Sequence, residues 1–239
     1  MSVKFTMEGS FLSKVKNVGK ITMLRDALDD KMITEINTAL DKAEGDENVR
    51  CLVLASDTDS FCTSGEATEA GKALLDRIRK FKVPIIGMIH GNATGAGFDL
   101  ALATDFRFAA KDAEFGWLGG GIKNKDVLKE ILGPRKMEGI DLDTGKIGAD
   151  KAGELGIANR ILAKDELKST VMFTATTISD NAPIAVRTSK TCYNLAYKAS
   201  IEEGNKAELE ACMECARSED IQEGINALFQ KRKAQFKGK

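Results

Sequence analysis

Two hydrophobic patterns alternate along this chain, short continuous apolar runs and stretches with apolar residues three and four apart. Each switch between them predicts an element boundary. Residues 15–24 read as strand material around a turn at Gly19, and residues 29–43 place apolar side chains at 32, 33, 36, 39 and 40, one face of a helix. A second buried-strand run covers 49–55 and is closed by the polar turn 56–60. A helical segment over 67–80 leads to Pro84, after which Ile85 to Ile89 reads as a buried strand. Glycines 91, 95 and 97 then turn the chain into an apolar helix with Asp99 in its first turn. Strands are predicted at 106–109 and 113–116, with a flexible break at 119–121. Beyond it the pattern turns helical. Asp126 can cap a helix over 127–132 that Gly133-Pro134 stops, 135–142 follows, and 149–155 ends at Gly156 as a C-cap before strand material at 157–162. Helices are expected over 165–181, 184–203, 206–216 and 220–235. No repeat period or Pro/Ser-rich linker interrupts the chain, which leaves one soft boundary near 183–190.

The junction from 85 to 105 organises the rest. Glycines between a strand and a helix let a ligand approach the main chain closely, and the unpaired N–H groups of a helix start point at negative charge. That arrangement suits a carbonyl oxygen that becomes an oxyanion.

Composition narrows the alternatives. The chain has 239 residues, is 43% hydrophobic and 30% charged, and carries a formal net charge of −1, so it has no overall drive toward nucleic acid or anionic membrane. No apolar run is long enough for a membrane span, and residues 1–5 lead into polar sequence rather than a secretory core, which makes the cytoplasm the default location. Five cysteines, 51, 62, 192, 212 and 215, are odd in number and irregular in spacing and argue for reduced thiols. Cys212-x-x-Cys215 lacks a second pair and is far from the single histidine, His90, so it reads as helix packing and no metal site is expected.

Several segments together point to a family: Asp26-Ala27-Leu28, Phe61-Cys62 leading to Ser64-Gly65-Glu66, Lys82 through Asp105, Phe106 to Ala110 with Ala113 to Gly116, Thr144-Gly145 with 149–156, and the closing 223–238. In this order they resemble the crotonase (enoyl-CoA hydratase/isomerase) superfamily. The resemblance implies an α/β fold, a spiral of ββα turns over 1–185 followed by a helical trimerisation region over 186–239. It also implies an acyl-CoA substrate, with coenzyme A as part of the substrate and no separate cofactor, and a homotrimer or dimer of trimers. Carried over by position, it assigns an oxyanion hole to the main-chain N–H groups of Glu66 and Ala96, and the surrounding substrate contacts to Asp26, Ala27, Ser64, Gly65, Ala67, Gly95, Gly97, Gly119 and Asp126. An extra residue around Gly65 could move the Glu66 register by one.

The departures bear on the reaction. Of the two glutamates that family hydratases use, the first falls on Asp99, one methylene shorter, and the second on Gly119, which has no side chain. Water addition by two positioned carboxyl groups is therefore in doubt. Asp99 is the first candidate for acid–base work or for orienting water, against a plain helix-start carboxylate. Asp126 is the second, against an N-cap. Glu66 and Glu69 could reach an acyl pocket but also suit solvent, His90 reads as a satisfied core histidine, and Trp117 as a pocket or core residue. The basic tail 231–239 reads either as a solvated helix end or, in the family's terms, as a partner for coenzyme phosphates.

Other enzyme classes drop out. Gly91-x-x-x-Gly95-x-Gly97 does not fit a dinucleotide fingerprint, no Gly-Lys-Ser/Thr phosphate loop is present, and no Gly-x-Ser-x-Gly elbow occurs. Three readings remain: an enolate-stabilising isomerase, decarboxylase or thioester hydrolase; a hydratase with its second acid from elsewhere; and a binding protein without turnover.

Overall fold

The structure, a computed structural model of the chain, describes residues 1–9, 17–65, 67–118, 120–123, 125–133, 145–196 and 198–239. After strand β1 (Val3–Glu8), four turns repeat one unit of strand, short strand and helix. The first is β2 (Val18–Met23), β3 (Ala27–Leu28) and α1 (Asp30–Gly45), and the second β4 (Cys51–Ser56), β5 (Ser64–Gly65) and α2 (Glu69–Lys80). The third is β6 (Ile85–Ile89), β7 (Asn92–Thr94) and α3 (Ala96–Ala103), and the fourth β8 (Phe106–Ala110), β9 (Glu114–Gly116) and α4 (Lys125–Leu132). The chain continues through β10 (Ile147–Gly148), α5 (Ala149–Leu155), β11 (Arg160–Leu162), α6 (Lys164–Ser179), α7 (Pro183–Ala196), α8 (Ile201–Arg217) and α9 (Glu219–Phe229).

The long strands form one sheet in the order β1-β2-β4-β6-β8-β11, antiparallel only between β1 and β2. The short strands make a second layer, β3 beside β5 and β9 between β7 and β10, bridged through Cys62 and Ala93. Strand alternation decides where each side chain goes. On β4, Leu52 and Leu54 face the large inner core with α1, α2 and α3, while Cys51, Val53 and Ala55 face Leu167, Val171 and Ala175 of α6. Helix starts are capped by side chains: Asp29 accepts from the Met32 N–H at 2.8 Å and Thr68 from the Gly71 N–H at 3.0 Å.

Several readings are corrected. Gly19 is no turn but an interior position of β2, where a β-carbon would lie 2.5 Å from Leu52 Cδ2 and 3.0 Å from the Phe5 ring. Strand β1 had no signal of its own, because it is an edge strand with only Val3 fully buried. Asp126 is not a cap: α4 begins at Lys125, and the exposed Asp126 lies in its first turn, 3.3 Å from Lys129 Nζ. The helix expected over 184–203 ends at Ala196, and α8 begins after Ser200, whose hydroxyl and Glu203 form a reciprocal capping box. The last helix stops at Phe229, so the basic tail is not helical. It folds back, with the Arg50 guanidinium donating to Phe236 O at 2.6 Å and Asp220 accepting from the Lys237 and Gly238 N–H groups at 2.6 and 2.8 Å. The helix expected over 135–142 lies outside the described residues.

The C-terminal helices are tied to the spiral by a buried ion pair, Lys190 Nζ to Asp105 Oδ2 at 2.7 Å. Burial pushes the Asp105 carboxyl up and the Lys190 ammonium down, while their mutual attraction opposes both shifts.

Candidate active site

The site is built where the second and third spiral turns cross from the short strands into helices. The pairing of β3 with β5 sets Ala27 opposite Ser64 and Leu28 opposite Gly65, and the Thr63 N–H donates to Asp26 O at 2.7 Å. Alongside, the Cys62 N–H donates to Asn92 O at 3.1 Å and the Thr94 N–H to Cys62 O at 3.0 Å. This main-chain lattice brings two separate loops together. A β-carbon added to Gly65 would lie 2.7 Å from the Ala96 β-carbon.

Gly95 takes φ +57 and ψ −128, a turn that only glycine adopts readily, and it aims α3 into the protein. Gly97 allows the closest approach: a β-carbon there would fall 1.9 Å from Cys62 O. All eight residues of α3 are buried. The Phe98 and Asp99 N–H groups turn back to Gly95 O at 3.1 and 3.4 Å, whereas the Ala96 N–H meets no acceptor among the described residues. A buried amide at the first position of a helix, lacking a protein partner, is an open donor for a ligand oxygen.

Asp99 lies behind this turn, 1% exposed. Trp117 Nε1–H donates to its Oδ1 at 2.9 Å, and the Ile122 and Lys123 N–H groups donate to its Oδ2 at 2.6 and 3.2 Å. The Trp117 ring stacks at a tilt on Phe98, with centroids 5.1 Å apart. Gly120 and Gly121, read from sequence as part of a flexible break, are fixed instead. Gly121 has φ +105, and a β-carbon on it would lie 2.7 Å from both Gly95 C and Asp99 Oδ2. Asp99 thus anchors the segment 120–123 across the glycine turn.

The structure gathers Gly65, Gly95, Ala96 and Gly97 at one point, with Asp26, Ala27 and Ser64 along the adjoining strand pair. Exposed Ala67 precedes the Thr68 cap of α2. Asp126 stands apart, on a cavity with Lys72 and Lys123. Glu66 and Gly119 lie outside the described residues. Glu69 is solvated and pairs with Lys72 at 2.7 Å, and His90 Nε2 is 2.6 Å from Thr58 O. Burial pushes the Cys62 thiol up to about 12, so this sulfur beside the site is a protonated core group rather than a nucleophile. Sequence reading passed over the Trp117–Asp99 bond, because residues 18 positions apart on different elements share no local period.

Among the described residues no group of three metal-ligating side chains converges, and no helix is long and apolar enough to cross a membrane. A family model described as enoyl-CoA hydratase/isomerase matches residues 13–239. Crotonyl-CoA hydratase of Syntrophomonas wolfei is 28% identical over 88% of this chain and 89% of its own length. The mitochondrial enoyl-CoA hydratase of Pongo abelii is 28% identical over 94% of this chain and 85% of its own length. Among solved structures, an enoyl-CoA hydratase from Bacillus anthracis matches with a TM-score of 0.90 at 22% identity over the whole of both chains, a likeness of fold. An enoyl-CoA hydratase subunit from Geobacillus kaustophilus matches at 0.87 and 29% identity, covering 100% of this chain and 99% of that one. The chain therefore has the crotonase fold and belongs to the enoyl-CoA hydratase/isomerase family.

Proposed function

We propose that this protein is an acyl-CoA enzyme whose main catalytic device is a pair of main-chain amides, Ala96 and Glu66, that hold the thioester oxygen as an enolate forms. The observation that carries this reading is the Ala96 N–H: buried, at the first position of α3, without a protein acceptor among the described residues, and beside Gly65 of the other loop. Glu66, which the family likeness gives as the second donor, follows Gly65 directly. Such a donor acts where charge develops and typically contributes about 3 kcal/mol to the transition state.

Asp99 serves here as a positioning residue. With Trp117 and two main-chain N–H groups on its oxygens, and glycine at 119, the two-carboxylate route for water addition lacks its groups. That observation favours a second, narrower reading: loss of carbon dioxide from the acyl group, which delivers the enolate without a base. The family likeness also supports a trimer or dimer of trimers, closed through α6 to α9, where Phe173, Ile201, Leu228 and Phe229 are exposed.

Incubation with enoyl-, malonyl- and simple acyl-CoA thioesters, read by mass spectrometry, separates hydration, carbon dioxide loss and hydrolysis. Ala96→Pro removes the N–H while proline suits a first helical position. Turnover is expected to fall at least a hundredfold with thioester binding largely kept. Turnover unchanged by the proline overturns the proposal.

A further inference from the structure

Three of the five cysteines stand outside both the core and the site, on α7 and α8. Helix α7 ends at Ala196 and α8 starts after Ser200, a connection short enough that α8 runs back along α7. One contact fixes their register: Cys215 Sγ lies 3.7 Å from Thr188 Oγ1. One turn from it towards the connection lie Cys192 on α7, four residues after Thr188, and Cys212 on α8, three residues before Cys215. The register therefore sets Cys192 and Cys212 at one level of the helix pair.

Both residues also line one cavity of about 640 Å³ between the two helices. Small residues build much of its wall, Ala196, Gly204 and Ala211 among them, and small residues at a seam let two helix backbones come close. A disulfide needs α-carbons within about 7 Å, a separation that such a seam permits. Cys192 is half-buried and Cys212 exposed, so a small oxidant reaches them, unlike the sealed Cys51 and Cys62. Among the described residues the thiols form no group able to hold a metal ion, which leaves sulfur chemistry in pairs.

We propose that Cys192 and Cys212 are a reversible dithiol pair that hydrogen peroxide closes into a disulfide between α7 and α8. One thiol reduces the peroxide, becoming a sulfenic acid and releasing water. The second sulfur attacks the sulfenic sulfur: the S–S bond forms as the S–O bond breaks, and the departing hydroxide leaves as water with the second thiol's proton. Two thiols and one peroxide thus give one disulfide and two waters. Cys215, engaged with Thr188 a turn away, is left out. The bond staples the helical layer and involves no residue of the Ala96 turn, so the inference stands apart from the oxyanion-hole reading.

To test this, the full-length folded protein is treated with hydrogen peroxide at pH 8 and its remaining thiols are blocked with iodoacetamide. It is then cut without reduction by trypsin and a glutamate-specific protease, which separates Cys212 from Cys215 at Glu214. Mass mapping is expected to show Cys192 joined to Cys212 at least tenfold above any link to Cys215. In urea the same treatment is expected to lose that selectivity, because the folded register creates it. Cys215→Ser is expected to keep the bond and Cys212→Ser to abolish it, and millimolar reduced glutathione to reopen it. The mapping on the unaltered chain carries the test whether or not the serine variants fold. Cys192 and Cys212 left unjoined, a dominant link to Cys215 or between two chains, or selectivity unchanged in urea overturns the inference. A bond that glutathione does not reopen overturns it too, since the pair would then not be reversible.

Discussion

A carboxylate as deeply buried as Asp99 costs several kcal/mol unless donors surround it, and three N–H groups do so. Its work is local: it holds Trp117 against Phe98 and pins Ile122 and Lys123 over the glycine turn. Asp99→Asn substitutes an NH2 group for one of the accepting oxygens and sets donor against donor. Stability is expected to drop by about 3 kcal/mol in urea unfolding. A loss under about 0.5 kcal/mol would mean that the bonds are not formed. The cysteines give a second test at this scale. Burial pushes Cys62 up to about 12 and Cys51 higher still, while Cys192, Cys212 and Cys215 stand half-buried or exposed on α7 and α8. Iodoacetamide at pH 8 is expected to label only the latter three in the folded protein, read by peptide mass mapping, with Cys51 and Cys62 joining after unfolding. Early labelling of either would contradict the packing of β4 or of the Cys62 bridge to Ala93.

At the scale of elements, the C-terminal tail is the clearest case of side chains imposing a path on irregular backbone. The Arg232 guanidinium and then the Gln235 N–H hold the Glu223 carboxyl down to about 2, below its usual 4.5. A depressed carboxyl stabilises the fold above its unfolded value and loses that contribution as the pH falls through its folded value. The tail is therefore expected to stay docked at pH 5 and above and to release between about pH 4.5 and about 2, with the Glu223 side-chain carbon titrating near 2 by NMR. Glu223→Gln should expose Lys231 and Lys233 to trypsin at neutral pH, and resistance equal to the parent would contradict it. The tail also shows where sequence stops being informative. Helix α1, strand β4 and the turn into α3 could be read from residues 29–43, 49–55 and 85–105 because a local period or a glycine fixes each. The tail's path, Gly19 inside β2 and the Asp99–Trp117 bond depend on partners far away in the chain, which no local period encodes. Ser200-x-x-Glu203 did carry the capping-box signature, and the α7–α8 break could have been placed from it.

For the whole molecule, four repeats of one ββα unit bring loops from separate turns to one point, and α7 is held on the spiral by Lys190 and Asp105. Beyond that pair the helical layer leaves large apolar side chains in water, with Leu228 77% and Phe229 81% exposed. A trimer through this layer would bury them. Sedimentation is expected to give three chains of 25.8 kDa or twice that number, and a Leu228→Lys, Phe229→Asp variant to run as a monomer with unchanged circular dichroism. A monomeric parent protein would contradict that assembly. The central claim concerns one N–H, and its resonance is the most direct test. With the chain labelled in nitrogen-15 and saturated with a thioester that enolises, acetoacetyl-CoA, the Ala96 amide proton is expected to move far downfield as it takes the oxyanion. An Ala96 resonance that stays in place while the thioester is bound would contradict the claim.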